Sequence, residues 1–362
     1  MVLKFRFNLL IITILSIFLS FTSSASEKGK ELDVNEMIMH HIKDAHEWHL
    51  WGPEHGGTSI YLPVILIDGN SKVFSSKHFY HGKEVIFTTA AGEGHYMEGV
   101  GPAKGYALYH EKIYKLKNGI LEINKEGHAE NAKPLDLSIT KNVAFMFIAC
   151  SLLLIILFSA AKFYKKNGAV APKGIAKFVE PLVVFVRDDI AKENIDSHKY
   201  KKFTPYLLTI FFFILICNLL GSIPLIGSNL TGNISVTLFL ASCTLLVTLF
   251  SSNKNYWKHI YATPGVPMAL LPIMIPIEFI GIFTKPFALM VRLFANMTAG
   301  HIIILALVSI IFINKSAAWG MLSVPMALFI SVLELLVAFL QAYLFTMLSA
   351  LFIGAAVEEA HH

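Results

Sequence analysis

Charge and cysteine are what this chain has least of. Only 15% of its 362 residues are Asp, Glu, Lys or Arg, against 55% hydrophobic ones. Soluble domains carry about 25% charged residues, so the balance excludes an ordinary soluble enzyme and points to an integral membrane protein. The three cysteines, Cys150, Cys217 and Cys243, all fall in apolar runs. That leaves neither a disulfide framework nor a CxxC metal site. No Gly-x-x-x-x-Gly-Lys-Ser/Thr loop is present, so nucleotide chemistry is not expected of this chain. No nucleophile or metal constellation stands in the apolar runs, so no cofactor is expected. No internal repeat is evident, which argues against an inverted-repeat transporter. The net charge of +5 is not a nucleic-acid footprint, because the lysines gather in loops beside apolar runs, as the positive-inside rule requires.

Residues 1–25 read as a signal peptide. Lys4 and Arg6 precede the apolar stretch Leu9–Phe21, and Ser23-Ser24-Ala25 is a small-residue cleavage site. A retained signal anchor is the alternative, and either one exports the segment behind it. Residues 26–140 hold ten of the fifteen histidines. Tyr61–Ser75 reads as two strands around Asp68-Gly69, and Tyr114–Asn124 repeats that pattern around Asn118-Gly119. Glu31–Trp48 reads as a short amphipathic helix. Together these predict a small α+β periplasmic module. His40, His41, His46 and His49 cluster at its start, and the i,i+3 spacing of His46 and His49 suits a metal. No cysteine or second ligand set accompanies them, so no metal is assigned.

Residues 141–362 form the expected membrane domain, with five apolar spans: Asn142–Ala161, Phe203–Leu225, Ile234–Ser252, Met268–Asn314 and Trp319–Val357. The second is broken near Gly221 and Pro224. The segment Lys162–Lys202 holds ten Lys or Arg residues, and Ser222–Asn233 holds none. The N-terminus is therefore expected on the periplasmic side and the C-terminus in the cytoplasm of a bacterial inner membrane. Within the basic loop, Ile175–Ile190 reads as an amphipathic helix on the membrane surface. About 20 helical residues cross a bilayer, so the two long last spans are expected to be strongly tilted. Pro272, Pro276 and Pro286 are candidate bends.

A few polar residues break the apolar spans. Glu278, Lys285 and Arg292 are spaced by seven. Seven residues carry an α-helix through about 700°, so the three share a stripe that drifts by about 20° per step. Asn296 lies one turn beyond Arg292 on nearly the same side. An arginine stays charged in proteins, and at membrane depth it costs at least about 2.5–3.5 kcal/mol. It either faces water, a counter-charge or a moving partner, or snorkels to the headgroups. Glu278 and Lys285 read equally as interface-level charges, and Asn296 as an interhelical hydrogen bonder. His301 is half a turn around the helix from Arg292. In the last span Glu334 and Gln341 are again seven apart. A His and a Glu on adjacent helices make either a proton relay or a static buried pair.

These residues closely resemble the signature of the a subunit of rotary ATP synthases, carried above all by RLFANMTAGH at Arg292–His301. Asn218-Leu219-Leu220-Gly221 with Pro224 resembles the family's second-span motif, and Asn233 with Thr237-Leu238 the start of its third span. Glu278 and Lys285 stand at the family's spacing before the arginine, and Glu334 with Gln341-Ala342 resembles its last helix. The likeness covers roughly residues 140–358. Some members carry Glu after the AG pair and His in the last helix. This chain has the exchanged arrangement, His301 and Glu334, which implies that the two side chains touch. The long N-terminal part looks like the extended a subunits of Bacteroidetes-type bacteria.

The resemblance implies a non-catalytic proton-channel subunit of the membrane sector, bound to a ring of c subunits, a b-subunit peripheral stalk and the lipid bilayer, with H⁺ (or Na⁺) as the carried ion. It implies that Arg292 faces the ring, that Glu334 and His301 serve proton intake, and that Asn296 and Gln341 hold the arginine. Glu278, Lys285 and Asn218 are implied as supporting polar residues. A secondary transporter or ion channel is the alternative class.

Overall fold

The computed structural model of the chain describes residues 43–51, 58–89, 92–168, 170–223, 229–261, 270–314 and 316–359. The expected signal peptide, His40, His41 and most of the expected helix Glu31–Trp48 lie outside them. Where that helix is described it is not helical: Glu47 and Trp48 open a strand. Glu47-Trp48-His49 alternates polar and aromatic residues, and Trp48 finds core partners that a surface helix would not offer.

The N-terminal strands are β1 (Glu47–Trp51), β2 (Thr58–Tyr61), β3 (Pro63–Asp68), β4 (Asn70–Ser75), β5 (Lys83–Thr89), β6 (Gly92–Glu98), β7 (Tyr106–Tyr109), β8 (Lys112–Lys115) and β9 (Leu135–Asp136). A one-turn helix, α1 (Lys77–Tyr80), sits between β4 and β5. The strands form a β1–β2 pair, a sheet β4-β3-β9 and a sheet β5-β6-β7-β8. The expected hairpin of β3 and β4 forms with Asp68 opposite Asn70, and Gly69 supplies the positive φ of 75° that the reversal needs. The second expected hairpin forms only its turn. Asn118 and Gly119 take positive φ and Lys117 bridges Ile120, but β8 pairs backwards with β7 instead of forwards. Tyr106 and Ile113 join Val64, Leu66, Phe74 and Phe79 in the shared core, and that burial outweighs the local turn signal.

The helices of the C-terminal part are α2 (Lys141–Asn167), α3 (Ile175–Phe185), α4 (Tyr200–Gly221), α5 (Ile234–Ser251), α6 (Lys254–Tyr261), α7 (Leu271–Ile313) and α8 (Gly320–Val357). Of these, α2, α4, α5, α7 and α8 are long and apolar enough to cross a membrane. The 43 residues of α7 measure about 65 Å at 1.5 Å per residue, twice a hydrocarbon core of about 30 Å. The helix runs unbroken through Pro276 and Pro286. The amphipathic segment after α2 begins as α3 and continues through a π-helical stretch, Val186–Ala191. Its apolar side, with Val179, Val186 and Ile190, joins the core around α4, while Phe178 points outward. Core residues Leu207, Phe211 and Ile214 make α4 the centre of the helical part.

The two parts are fastened at the start of α2. Asp44 accepts hydrogen bonds from Thr140 Oγ1 (2.9 Å) and the Asn142 amide (3.0 Å), so it caps the helix. Lys141 N–H donates to the Ala45 carbonyl. Trp48 packs in the same core cluster as Phe145 and Ala149 of α2. Buried His46 donates from Nε2 to Asp136 of β9 at 3.2 Å, and its Nδ1 has no hydrogen-bond partner among the described residues. His46 and His49 are thus strand-side hydrogen bonders rather than a helical pair, and His49 Nδ1 meets Ser59 Oγ at 3.0 Å.

Burial pushes the Asp136 carboxyl upward, but donation from His46 and Ser138 outweighs it and holds the group below its ordinary value. A folded value below the unfolded one, about 3.9, gives a stabilisation that is complete at neutral pH and is lost as pH falls through the folded value. Asp136→Ala would leave both ring nitrogens of His46 buried without partners, at a cost of about 1–3 kcal/mol. The expected result is faster amide hydrogen exchange in β3 and β9 at neutral pH. The difference from the unaltered protein should shrink as pH falls below about 3.9 and on through the lower folded value, beneath which Asp136 is protonated in both states.

Candidate functional site

The two longest helices, α7 and α8, pack along each other and carry most of the polar residues singled out in the sequence. Leu289, Leu293 and Met297 of α7 recur every fourth residue and are buried. That stripe turns toward the core. Arg292 and Asn296, also one turn apart, lie on the exposed side. Among the described residues the Arg292 guanidinium has no ion pair or hydrogen bond. On α8, Glu334, Ala338, Gln341, Ala342 and Phe345 form the buried face. Glu334 and Gln341 are 5% and 3% exposed, so the carboxylate is enclosed by the helices themselves.

What answers Glu334 is His301. Its Nδ1 lies 2.8 Å from Glu334 Oε1, and its Nε2 lies 3.1 Å from the carbonyl of Gly221, the last residue of α4. The Nδ1–Oε1 approach is close but is not aligned as a hydrogen bond. A carbonyl only accepts, so Nε2 must carry a hydrogen. In a neutral imidazole Nδ1 is then bare, and two bare lone-pair atoms repel at this distance. The contact is therefore favourable only when a further proton sits on the imidazole or on the carboxyl.

Gly300 makes room for this contact. A methyl group there would stand 3.1 Å from Glu334 Oε1 and 3.3 Å from its carboxyl carbon. Any side chain at residue 300 would crowd the pair.

Asn218 is fully buried and joins three elements. Its Nδ2 donates to the Ala338 carbonyl of α8 at 3.2 Å, and its Oδ1 accepts from Thr231 Oγ1 at 2.7 Å. Thr231 belongs to a 3₁₀ turn, Leu230–Gly232, which is tied in turn to α7. Asn229 Nδ2 donates to the Met297 carbonyl and Thr298 Oγ1 to the Gly232 carbonyl, both at 3.4 Å. The turn thereby braces the helix one turn before His301. Gly300, Asn229, Thr231 and Thr298 were not singled out in the sequence. The signal for Asn229 was the cap spacing Asn229-x-x-Gly232, whose side chain accepts from the Gly232 amide.

Glu278 and Lys285 lie apart from this cluster. Lys285 Nζ sits 5.8 Å from the ring centroid of Phe352, beside a cleft with Tyr256 and Thr248. Burial, with the nearby Glu278 charge adding, raises the Tyr256 hydroxyl above its ordinary value. Among the described residues no three His, Cys, Asp or Glu side chains converge as a metal site. The chemistry this arrangement supports is proton handling at the His301–Glu334 contact, beside a separate exposed cation.

Comparison with known proteins gives the family. The ATP synthase A chain family matches residues 143–354, and a family described as a domain of unknown function matches residues 37–137. ATP synthase subunit a 2 of Prosthecochloris aestuarii is 53% identical over 315 residues, covering 84% of this chain and 93% of that protein. ATP synthase subunit a of an Anaeromyxobacter species is 48% identical over 348 residues, 94% of this chain and 74% of the other. That of Chloroherpeton thalassium is 52% identical over 233 residues, 63% and 69% respectively. The family match takes in all but the edges of the five-helix region. The chain is a multi-pass membrane protein and belongs to the ATP synthase A chain family.

Proposed function

We propose that this chain is the proton-translocating stator of the membrane sector of a rotary ATP synthase. In this reading it holds Arg292 against a rotating ring of c subunits and feeds protons through two aqueous half-channels. The observation that carries the proposal is the division on α7: Arg292 is exposed without a counter-charge among the described residues, while His301, nine residues on, closes against buried Glu334. A permanent cation at membrane depth needs a partner from outside the chain. A ring of membrane-embedded carboxylates supplies one, and the guanidinium favours the ionised form of each carboxylate that passes it. The same charge blocks direct leakage between the half-channels.

His301 and Glu334 serve the periplasmic intake side. Their 2.8 Å approach sets two proton-carrying groups side by side, as H⁺ transfer needs. Asn296, on the exposed side with Arg292, and buried Gln341 of α8 position Arg292 only once the ring is engaged, since among the described residues neither bonds to it. Residues 26–140, after a leader at 1–25, form a periplasmic module. The C-terminus is cytoplasmic, and the long helices α7 and α8 lie strongly tilted in a bacterial inner membrane, giving the ring a broad wall. A b-subunit stalk anchors the chain, and nucleotide chemistry belongs to other subunits. The transmembrane potential drives the cycle with about 2.3 kcal/mol per charge per 100 mV.

Arg292→Ala is expected to abolish ATP-driven acidification of inverted membrane vesicles while the complex still assembles. Acidification at the unaltered rate in that variant would sink the proposal. Single variants His301→Ala and Glu334→Ala should each slow proton flux about tenfold, and the double variant should be no slower than the worse single, as for two groups working as one. Additive losses would show that they act separately. Gly300→Ala should slow flux several-fold at unchanged subunit abundance, because the added methyl displaces Glu334. Flux equal to that of the unaltered protein would show that the contact tolerates displacement.

A further inference from the structure

The sheet β4-β3-β9 has two unlike faces. One carries Val64, Leu66 and Phe74 into the module's core. The other carries apolar residues that no described residue covers. Ile65 stands opposite Val73, and Ile67 opposite Leu135. Directly opposed residues share a face, and the Leu137 amide bonds to the Ile65 carbonyl in the same ladder. Val73, Leu135, Leu137 and Ile67 are 68%, 59%, 56% and 39% exposed. Single exposed apolar residues need no explanation, but four exposed neighbours around half-buried Ile65 on one sheet face mark an interaction surface.

The chain itself limits what can cover that face. Asn142–Ala161 is free of charge, and its 20 residues span about 30 Å as a helix, the thickness of the hydrocarbon core. Lys141 therefore stands at headgroup depth. Leu137 precedes it by four residues, which reach at most about 14 Å fully extended. The module is held down at a second point, where Trp48 of β1 packs in one cluster with Phe145 and Ala149 of α2. Asp44 and Ala45 lock the same junction through the Asn142 and Lys141 amides. A module fixed this closely to the start of a span has its sheet within reach of the lipid surface.

We propose that the outer face of sheet β4-β3-β9 lies on the bilayer, with Val73, Ile67, Leu135 and Leu137 at the boundary of headgroups and acyl chains. The module is then a peripheral membrane-binding element as well as a cap on the first span, and this assignment does not depend on Arg292 or on proton transport. The tether puts the lipid surface within reach of this apolar face, and lipid is the partner whose chemistry an apolar face beside a span fits.

The test uses the full chain in native membrane vesicles, with Cys150, Cys217 and Cys243 replaced. Val73→Cys, Leu135→Cys and, as a control on exposed Lys112 of β8, Lys112→Cys are labelled with a polarity-sensitive fluorophore. An apolar face at the interface sits about 5–10 Å into the headgroup–acyl boundary, so brominated phospholipid should remove about half of the emission at Val73→Cys and Leu135→Cys and little at Lys112→Cys. Quenching of all three by aqueous iodide, with no effect of brominated lipid, would overturn the proposal by placing the face in water. Protection of Val73→Cys and Leu135→Cys from both quenchers would overturn it in favour of a protein partner. If Val73→Cys does not accumulate, Ile67→Cys takes its place.

Discussion

Lipid offers a polar side chain nothing to bind to, and the helical part of this chain is arranged around that rule. Asn218 spends its amide on the Ala338 carbonyl and on Thr231. Glu334 is enclosed and met by His301. Thr244 reaches Ser349 and Tyr206 between helices. Each of these groups finds its partner inside the chain, so each ties one helix to another. The packing of α4, α5, α7 and α8 and the satisfaction of their polar groups are one problem with one solution. Arg292 stands apart from that solution, which is why the functional reading turns on it.

Much of the fold was legible because its signals are long. Five apolar spans repeat the same message over 18 or more residues each, and local accidents average out. The seven-residue spacing placed Glu334 and Gln341 on one face of α8, and both are buried. Nine residues from Arg292 to His301 is half a turn, and the two do lie in different surroundings, one exposed and one against α4 and α8. Periodicity transfers well to a helix because the backbone hydrogen bonds fix the geometry independently of what surrounds it.

The strand module was less legible, for the same reason reversed. Its signals are four to seven residues long, and long-range pairing decides among them. The turn at Asn118-Gly119 formed as its residues dictate, yet the strand before it paired with β7. Trp48 went to a strand because its partner, α2, begins more than ninety residues later, a fact absent from any local window. The roles of Gly300, Asn229 and Thr231 were hidden likewise. Their function is to leave space or to donate across helices, and neither act leaves a periodic trace in the sequence.

The cap on α2 has a bearing on the order in which the chain is completed. Asp44 and the amide it holds are 98 residues apart, and the strand β9 that closes one sheet ends only five residues before α2. At about 5–20 residues per second during synthesis, the residues that begin the module wait roughly 5–20 s for those that finish it. Through that interval β3 presents one unpaired edge, and His46 has no carboxylate to meet. Emergence of the first span is thus the event that lets the N-terminal module close, so a defect in threading that helix would show itself as misfolding a hundred residues upstream.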